Sequence, residues 1–187
     1  MNQQQERKFS KFLSLILRHN PGKIGLQLDQ QGWANVQELI EKVNKARKQP
    51  ISLSDLEQVV ANDNKQRYSF TGDKSRIRAN QGHSINIDLG LEPQTPPAVL
   101  FHGTASRFLD SIMEKGLLAG SRQHVHLSLD IETATNVGRR HIVGKRHGNP
   151  VILKIDTFQM LKDGHLFYLS DNNVWLTDHV PVKYLSS

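Results

Sequence analysis

Apolar residues recur at helical spacing through the first sixty positions and then change period. Phe9, Phe12, Leu13, Ile16 and Leu17 make one stripe, which predicts a helix stopped by Asn20-Pro21, because a residue before proline avoids the α region. A second helix is predicted after Gly32-Trp33, with Val36, Leu39, Ile40 and Val43 on one face. A third opens at Ser52, where Asp55 three residues on completes a capping box, with Leu53, Leu56, Val59 and Val60 as its buried side. Then Arg67-Tyr68-Ser69-Phe70 and Arg76-Ile77-Arg78-Ala79 flank Thr71-Gly72-Asp73-Lys74-Ser75, predicting a hairpin with a glycine-containing turn. Three helices and a hairpin predict a winged-helix module. Such modules bind nucleic acid or protein, so the architecture alone leaves function open.

The second half reads differently. Leu91-Glu92-Pro93-Gln94-Thr95-Pro96-Pro97-Ala98 carries three of the seven prolines, which block helix and central strand and mark a linker or the approach to a second domain. Strands are predicted at Ala98–Phe101, Val125–Ser128, Val151–Ile155, Val174–Leu176 and Val180–Val182. Helices are predicted from Ser106 to Lys115, capped by Gly116, and from Ile131 to about Gly138. The fold class is therefore α+β, with domains at 1–92 and 93–187.

Composition narrows the chemistry. Hydrophobic residues make up 37%, enough for real cores. The absence of cysteine excludes disulfides, thiolate metal sites and a cysteine nucleophile. No apolar run reaches membrane-spanning length, and the polar opening Met1-Asn2-Gln3-Gln4-Gln5-Glu6 is unlike a signal peptide, so a soluble cytoplasmic protein is expected. The net charge of +6 is uneven: residues 1–90 hold 14 basic and 9 acidic side chains, residues 91–187 hold 10 and 9. A basic first half suits a polyanion, and it equally suits a solvated surface.

Histidines and arginines cluster beside turns rather than in periodic stripes. Arg18-His19 ends the first apolar helix, where a cation also complements the helix dipole. Arg78 lies on the hairpin just before Gln81-Gly82-His83-Ser84. Phe101-His102-Gly103-Thr104 reads as a strand end, a glycine turn and a helix start, a geometry that offers backbone N–H groups to a diphosphate. His124-Val125-His126 alternates across a strand, and with no HExxH no metal site is expected. GxGxxG and P-loop patterns are absent.

Taken in order, Leu17-Arg18-His19, Ile77-Arg78-Ala79-Asn80-Gln81-Gly82-His83-Ser84, Phe101-His102-Gly103-Thr104 through Gly116-Leu117, Val125-His126-Leu127-Ser128 and Arg146-His147-Gly148-Asn149-Pro150-Val151 resemble the RNA 2′-phosphotransferases of the Tpt1/KptA type. The resemblance runs from about Phe9 to Leu185. It implies an N-terminal winged-helix lobe followed by a C-terminal ADP-ribosyltransferase-like lobe. It also implies a metal-independent reaction that consumes NAD+, on RNA carrying an internal 2′-phosphate. The phosphate attacks the anomeric carbon of the nicotinamide ribose, and nicotinamide leaves a 2′-phospho-ADP-ribosylated RNA. The ribose 2″-hydroxyl then attacks phosphorus, giving 2′-OH RNA and ADP-ribose 1″,2″-cyclic phosphate. Family members serve tRNA splicing where that pathway leaves a 2′-phosphate, and a monomer is expected here.

The same resemblance assigns residues. Its Arg-His-Arg-Arg catalytic constellation carries over to Arg18, His19, Arg78 and Arg146, and His102, Gly103, Thr104, His126, Leu127 and Ser128 would bind NAD+. Val174 sits where many ADP-ribosyltransferases place a glutamate, which fits an acceptor that is already a phosphate dianion. The fourth cation has two registers, because Val137-Gly138-Arg139-Arg140-His141 nearly repeats as Val143-Gly144-Lys145-Arg146-His147-Gly148. Arg146 keeps the glycine and proline that turn the chain into the next strand; Arg140 keeps the register of the preceding helix. Two other classes fit the residues less fully: a winged-helix regulator that senses NAD+ without turnover, and an ADP-ribosyltransferase that stops after the first step.

Overall fold

A computed structural model describes residues 1–142 and 148–186. The chain divides into two compact units, Met1–Gly90 and Leu91–Ser187. No helix among the described residues is long and apolar enough to cross a membrane.

Unit 1 holds helices Gln3–Arg18 (α1), Val36–Ala46 (α2) and Leu53–Ala61 (α3), with strands Ala34–Asn35 (β1), Tyr68–Phe70 (β2) and Arg76–Ala79 (β3). The helices start where side chains can accept from orphan backbone N–H groups: Asn2 from Gln5, Asn35 from Glu38 and Ser52 from Asp55. At Asn2 and Ser52 the bond is reciprocated, which completes a capping box. Phe9, Leu13, Ile16 and Leu17 of α1 bury their side chains against Val36, Leu39 and Val43 of α2 and Leu56 and Val59 of α3. Leu53, expected on the buried side, is instead 43% exposed, because it opens α3 one turn ahead of the buried Leu56. The hairpin pairs Tyr68 with Ala79 and Phe70 with Ile77. β1 adds to its other side, Ala34 facing Ile77, so the sheet runs β1-β3-β2, all antiparallel.

Unit 2 contains strands Val99–Ala105 (β4), Leu117–Leu118 (β5), Val125–Leu127 (β6), Pro150–Asp156 (β7), Tyr168–Leu169 (β8), Trp175–Thr177 (β9), His179–Val180 (β10) and Leu185–Ser186 (β11). Its helices are Leu109–Lys115 (α4), Ile131–His141 (α5) and Thr157–Lys162 (α6). Two three-stranded sheets, β11-β7-β4 and β6-β9-β8, are stitched where Phe101 and Ser128 exchange backbone hydrogen bonds of 2.9 and 2.7 Å. The mixture of short strands and helices is α+β. Around this seam Leu100, Leu127, Leu153, Ile155, Phe167 and Trp175 form the core. The proline segment packs on this unit, Pro93 bridging Tyr168.

One expectation is corrected here. His102, Gly103 and Thr104 were to leave the strand through a glycine turn, yet β4 continues through all three to Ala105, Gly103 paired with Ile152 of β7. The glycine serves a helix instead of a turn. A Cβ on Gly103 would stand 1.7 Å from the carbonyl oxygen of Ala134, so α5 lies directly on the strand. Val182, expected in a late strand, falls in a 3₁₀ turn after Pro181.

Candidate functional site

In unit 1 the residues singled out from the sequence converge on the end of α1. Tyr68 draws strand β2 onto the helix, its hydroxyl donating to the Ser10 carbonyl at 2.7 Å and lying 2.6 Å from the Ser14 hydroxyl. That docking brings the Arg67 carbonyl to the Arg18 guanidinium, which donates to it at 3.4 Å. After β3, Gly82 takes a φ of 86°, a left-handed conformation suited to glycine, and turns the chain back toward α1. Ser84 then ties the loop down twice: its N–H donates to the Arg18 carbonyl at 2.9 Å, and its hydroxyl lies 2.9 Å from His19 Nδ1. That contact orients the His19 ring beside Arg18.

Arg78 lies within hydrogen-bond reach of the Leu89 carbonyl at 3.4 Å, and its guanidinium stacks over the Trp33 ring at 4.6 Å. Arg76, two positions earlier on the same face of β3, reaches the same ring at 5.7 Å. Trp33 therefore holds the Arg78 guanidinium in place against its ring. Between these groups sits His83, 2% exposed. Burial, and then the charges of Arg18, His19 and Arg78, push its imidazole down to about 4. Ser84, which follows His83 directly, is bonded to both Arg18 and His19, and the charges of Arg18, His19 and Arg78 all reach the one His83 ring. A groove of about 300 Å³, lined by Ser10, Lys11, Ser14, Leu15, His19 and Arg67, runs beside His19 along α1.

In unit 2 the seam between the two sheets sets His102 beside His126. His102 Nδ1 donates to the His126 carbonyl at 3.0 Å, which fixes the tautomer and leaves Nε2 as an acceptor. Burial lowers the pKa of His102, opposed in part by that bond and aided by His141 and Arg122. Arg122 donates toward His126 Nδ1 at 3.4 Å, so His126 carries its proton on Nε2. Burial and, after it, the charge of Arg140 pull Arg122 below the usual arginine value. Two imidazoles and the Arg122 guanidinium thus gather at the seam. Ser128 and Leu127 support it from behind, Ser128 through its bridge to Phe101 and Leu127 from the core. Thr104 is buried, and Val174 has both backbone groups bound by Ser170.

Arg146 lies outside the described residues. Gly148, just after it, has a φ of 119°, so the glycine of that segment does occupy a turn. Arg140 is exposed in the last turn of α5. Sequence reasoning missed three participants: Trp33, His83 as an individual residue, and Arg122. His83 could have been found inside the Gln81-Gly82-His83-Ser84 loop, since a histidine after a left-handed glycine is a candidate for tertiary burial. Arg122 sits in an irregular approach to β6 and carried no periodic signal. Among the described residues no group of three or more His, Asp or Glu side chains could hold a metal ion.

Comparison with known proteins agrees along nearly the whole chain. Residues 4–179 match the family described as RNA 2′-phosphotransferase, Tpt1 / KptA family. The "Probable RNA 2′-phosphotransferase" of Fusobacterium nucleatum is 54% identical over 178 residues, 95% of this chain and 96% of that protein. Proteins of the same name from Hahella chejuensis and Acaryochloris marina are each 54% identical, over 177 residues (95% and 91%) and 181 residues (97% and 96%). A family match over residues 4–179, joined to relatives that share half their residues from end to end, makes this chain a member of the Tpt1/KptA family of RNA 2′-phosphotransferases.

Proposed function

We propose that this transferase removes an internal 2′-phosphate from RNA by an NAD+-dependent route, giving 2′-OH RNA, ADP-ribose 1″,2″-cyclic phosphate and nicotinamide. The observation that carries the reading is the gathering of Arg18, His19 and Arg78 around one locus, in a chain whose relatives are named for phosphoryl transfer from RNA. In this reading unit 1 is a winged-helix lobe that takes the RNA phosphate. Its three helices and three-stranded antiparallel sheet support that, as does its basic balance. Unit 2 is an ADP-ribosyltransferase-like lobe, a reading supported by its two short sheets stitched at Phe101 and Ser128.

Each group has work suited to its chemistry. Arg18 and Arg78 stay charged and offer planar forks to phosphate oxygens, so they stabilise the charge that grows on phosphorus. His19 holds or moves a proton on the ribose hydroxyl. NAD+ supplies an electrophilic anomeric carbon and a good leaving group. The donor set on unit 2 fits a dinucleotide: His102 Nε2 accepts from a ribose hydroxyl, His126 Nε2–H donates, and Arg122 faces a diphosphate. Gly103 acts there by seating α5, and Thr104, Leu127 and Ser128 by holding the two histidine-bearing strands. Arg146 is the fourth cation that the family pattern assigns to the reaction.

The test is product analysis. The protein is incubated with NAD+ and a short RNA bearing one internal 2′-phosphate, and the RNA is resolved by mass. Dephosphorylated 2′-OH RNA with ADP-ribose cyclic phosphate is the expected result. A stable ADP-ribosylated RNA, or binding without any product, overturns it.

A further inference from the structure

His83 is a polar side chain that the fold buries without satisfying. Neither Nδ1 nor Nε2 has a hydrogen-bond partner among the described residues, although the ring is 2% exposed. A neutral imidazole always carries one N–H donor and one acceptor nitrogen, and such groups are rarely left orphaned inside a protein. The surroundings say what kind of partner is missing. One side of the ring abuts the main chain at Gly32, where a Cβ would stand 3.5 Å from Nε2. The charges that reach the ring are Arg18, His19 and Arg78, and all are cationic or can become so. A carboxylate is not among them. The ring cannot join the cations by taking up a proton, since burial and those same charges hold it neutral down to about pH 4. Its neighbour Ser84 is fastened to both Arg18 and His19, which anchors the loop that carries the ring beside those groups.

A buried N–H donor ringed by positive charge is satisfied by an anion. We propose that His83 is a phosphate-binding residue, donating a neutral imidazole N–H to an oxygen of the same 2′-phosphate that Arg18, His19 and Arg78 hold. The inference rests on the reading of those three residues as the phosphate site. It assigns to the site a donor that does not compete for charge. Arg18 and Arg78 fix the net attraction, and a neutral donor adds direction without adding another repelling charge.

The probe is a 2′-phosphorylated dinucleotide, titrated into the full chain without NAD+ so that no turnover occurs, with calorimetry as the readout. His83→Phe keeps the ring and removes both nitrogens; it should weaken binding by about tenfold to a hundredfold, the range for a hydrogen bond to a charged group. His83→Gln returns an N–H and should recover part of the loss. In the wild-type protein, the dinucleotide should shift the His83 ring ¹⁵N–¹H resonance downfield, a readout that needs no variant to fold. A shift of that resonance with weakened binding by His83→Phe supports the proposal. Unchanged affinity of a folded His83→Phe, or an unmoved resonance at saturating dinucleotide, overturns it. Arg18→Ala and Arg78→Ala separate the two levels of the argument. If both lose binding while His83→Phe keeps it, only the His83 assignment fails. If all three variants bind as wild type does, the phosphate-site reading fails with it.

Discussion

Replacing Gly103 by alanine should be among the most damaging single-methyl changes available in unit 2. The added Cβ would stand 1.7 Å from the Ala134 carbonyl oxygen and 2.7 Å from both the Ala134 carbonyl carbon and the Gly138 nitrogen. All three atoms are backbone of α5, so no side-chain rotation relieves the clash. Normal contact requires roughly 3.5 Å, so the helix must retreat by about 2 Å from β4. Ala134 is fully buried at that contact, and the retreat opens space around it. Overpacking costs about 1–3 kcal/mol where side chains can adjust, and a backbone obstacle places this variant near about 3 kcal/mol. For a unit of about 100 residues that is a fall in Tm of roughly 10–20 °C. The two tryptophans fall one in each unit, so a Trp33→Phe background makes Trp175 fluorescence report on unit 2 alone. Gly72→Ala is the control, because nothing lies within 4 Å of its added Cβ and the change should be neutral or stabilising. If Gly103→Ala melts within a degree or two of its parent, the account of this glycine as the seat of α5 is wrong.

Other outcomes follow from the same geometry. Arg18→Ala and Arg78→Ala should slow the second step more than the first, so ADP-ribosylated RNA accumulates in a single-turnover time course; equal loss of both steps removes that assignment. Arg146→Ala should cripple turnover while Arg140→Ala stays near wild type, and the reverse ranking of kcat/KM moves the role to Arg140, beside Arg122. Activity should persist in a strong chelator and vanish without NAD+, and RNA binding should weaken steeply as salt rises. Acidification should destabilise unit 1. The unfolded chain protonates His83 near 6.5 and the folded chain only near 4, so stability is full above about pH 6.5, falls as the pH drops through that window and levels below it. The loss amounts to about 3 kcal/mol at most, and denaturant titrations from pH 7 to 4 should show it, with His83→Phe flattening the curve.

The helices of unit 1 were legible because stripe and cap agree. Ser52 and Asp55 mark the start of α3, and Phe9, Leu13, Ile16 and Leu17 mark the inner face of α1. The hairpin was legible from Gly72 between two alternating runs. What escaped were strands of two residues: β1, β5, β8 and β11 are too short to show a period, and each is defined by the partner it meets. Gly103 misled for a related reason. A glycine that makes a turn and a glycine that admits a helix look alike in sequence, and only the packing of α5 separates them. For the site, Arg18, His19 and Arg78 were legible through a family pattern rather than through spacing. Trp33 and Arg122 were hidden because their partners are reached through tertiary folding.

The pairing of β11 with β7 has a consequence for the order of events in synthesis. Residues through Gly90 emerge before unit 2, and at roughly 5–20 residues per second several seconds pass before Leu185 and Ser186 are made. The β11-β7-β4 sheet cannot close in that interval, because Leu185 and Ser186 must lie against Ile155 and Lys154. Until they do, β7 presents an unpaired edge at Lys154 and Ile155, beside the buried core of the unit. Such an edge invites pairing with another nascent chain. A truncation that removes Leu185 and Ser186 should therefore lower soluble yield more than it lowers the activity of the molecules that do fold.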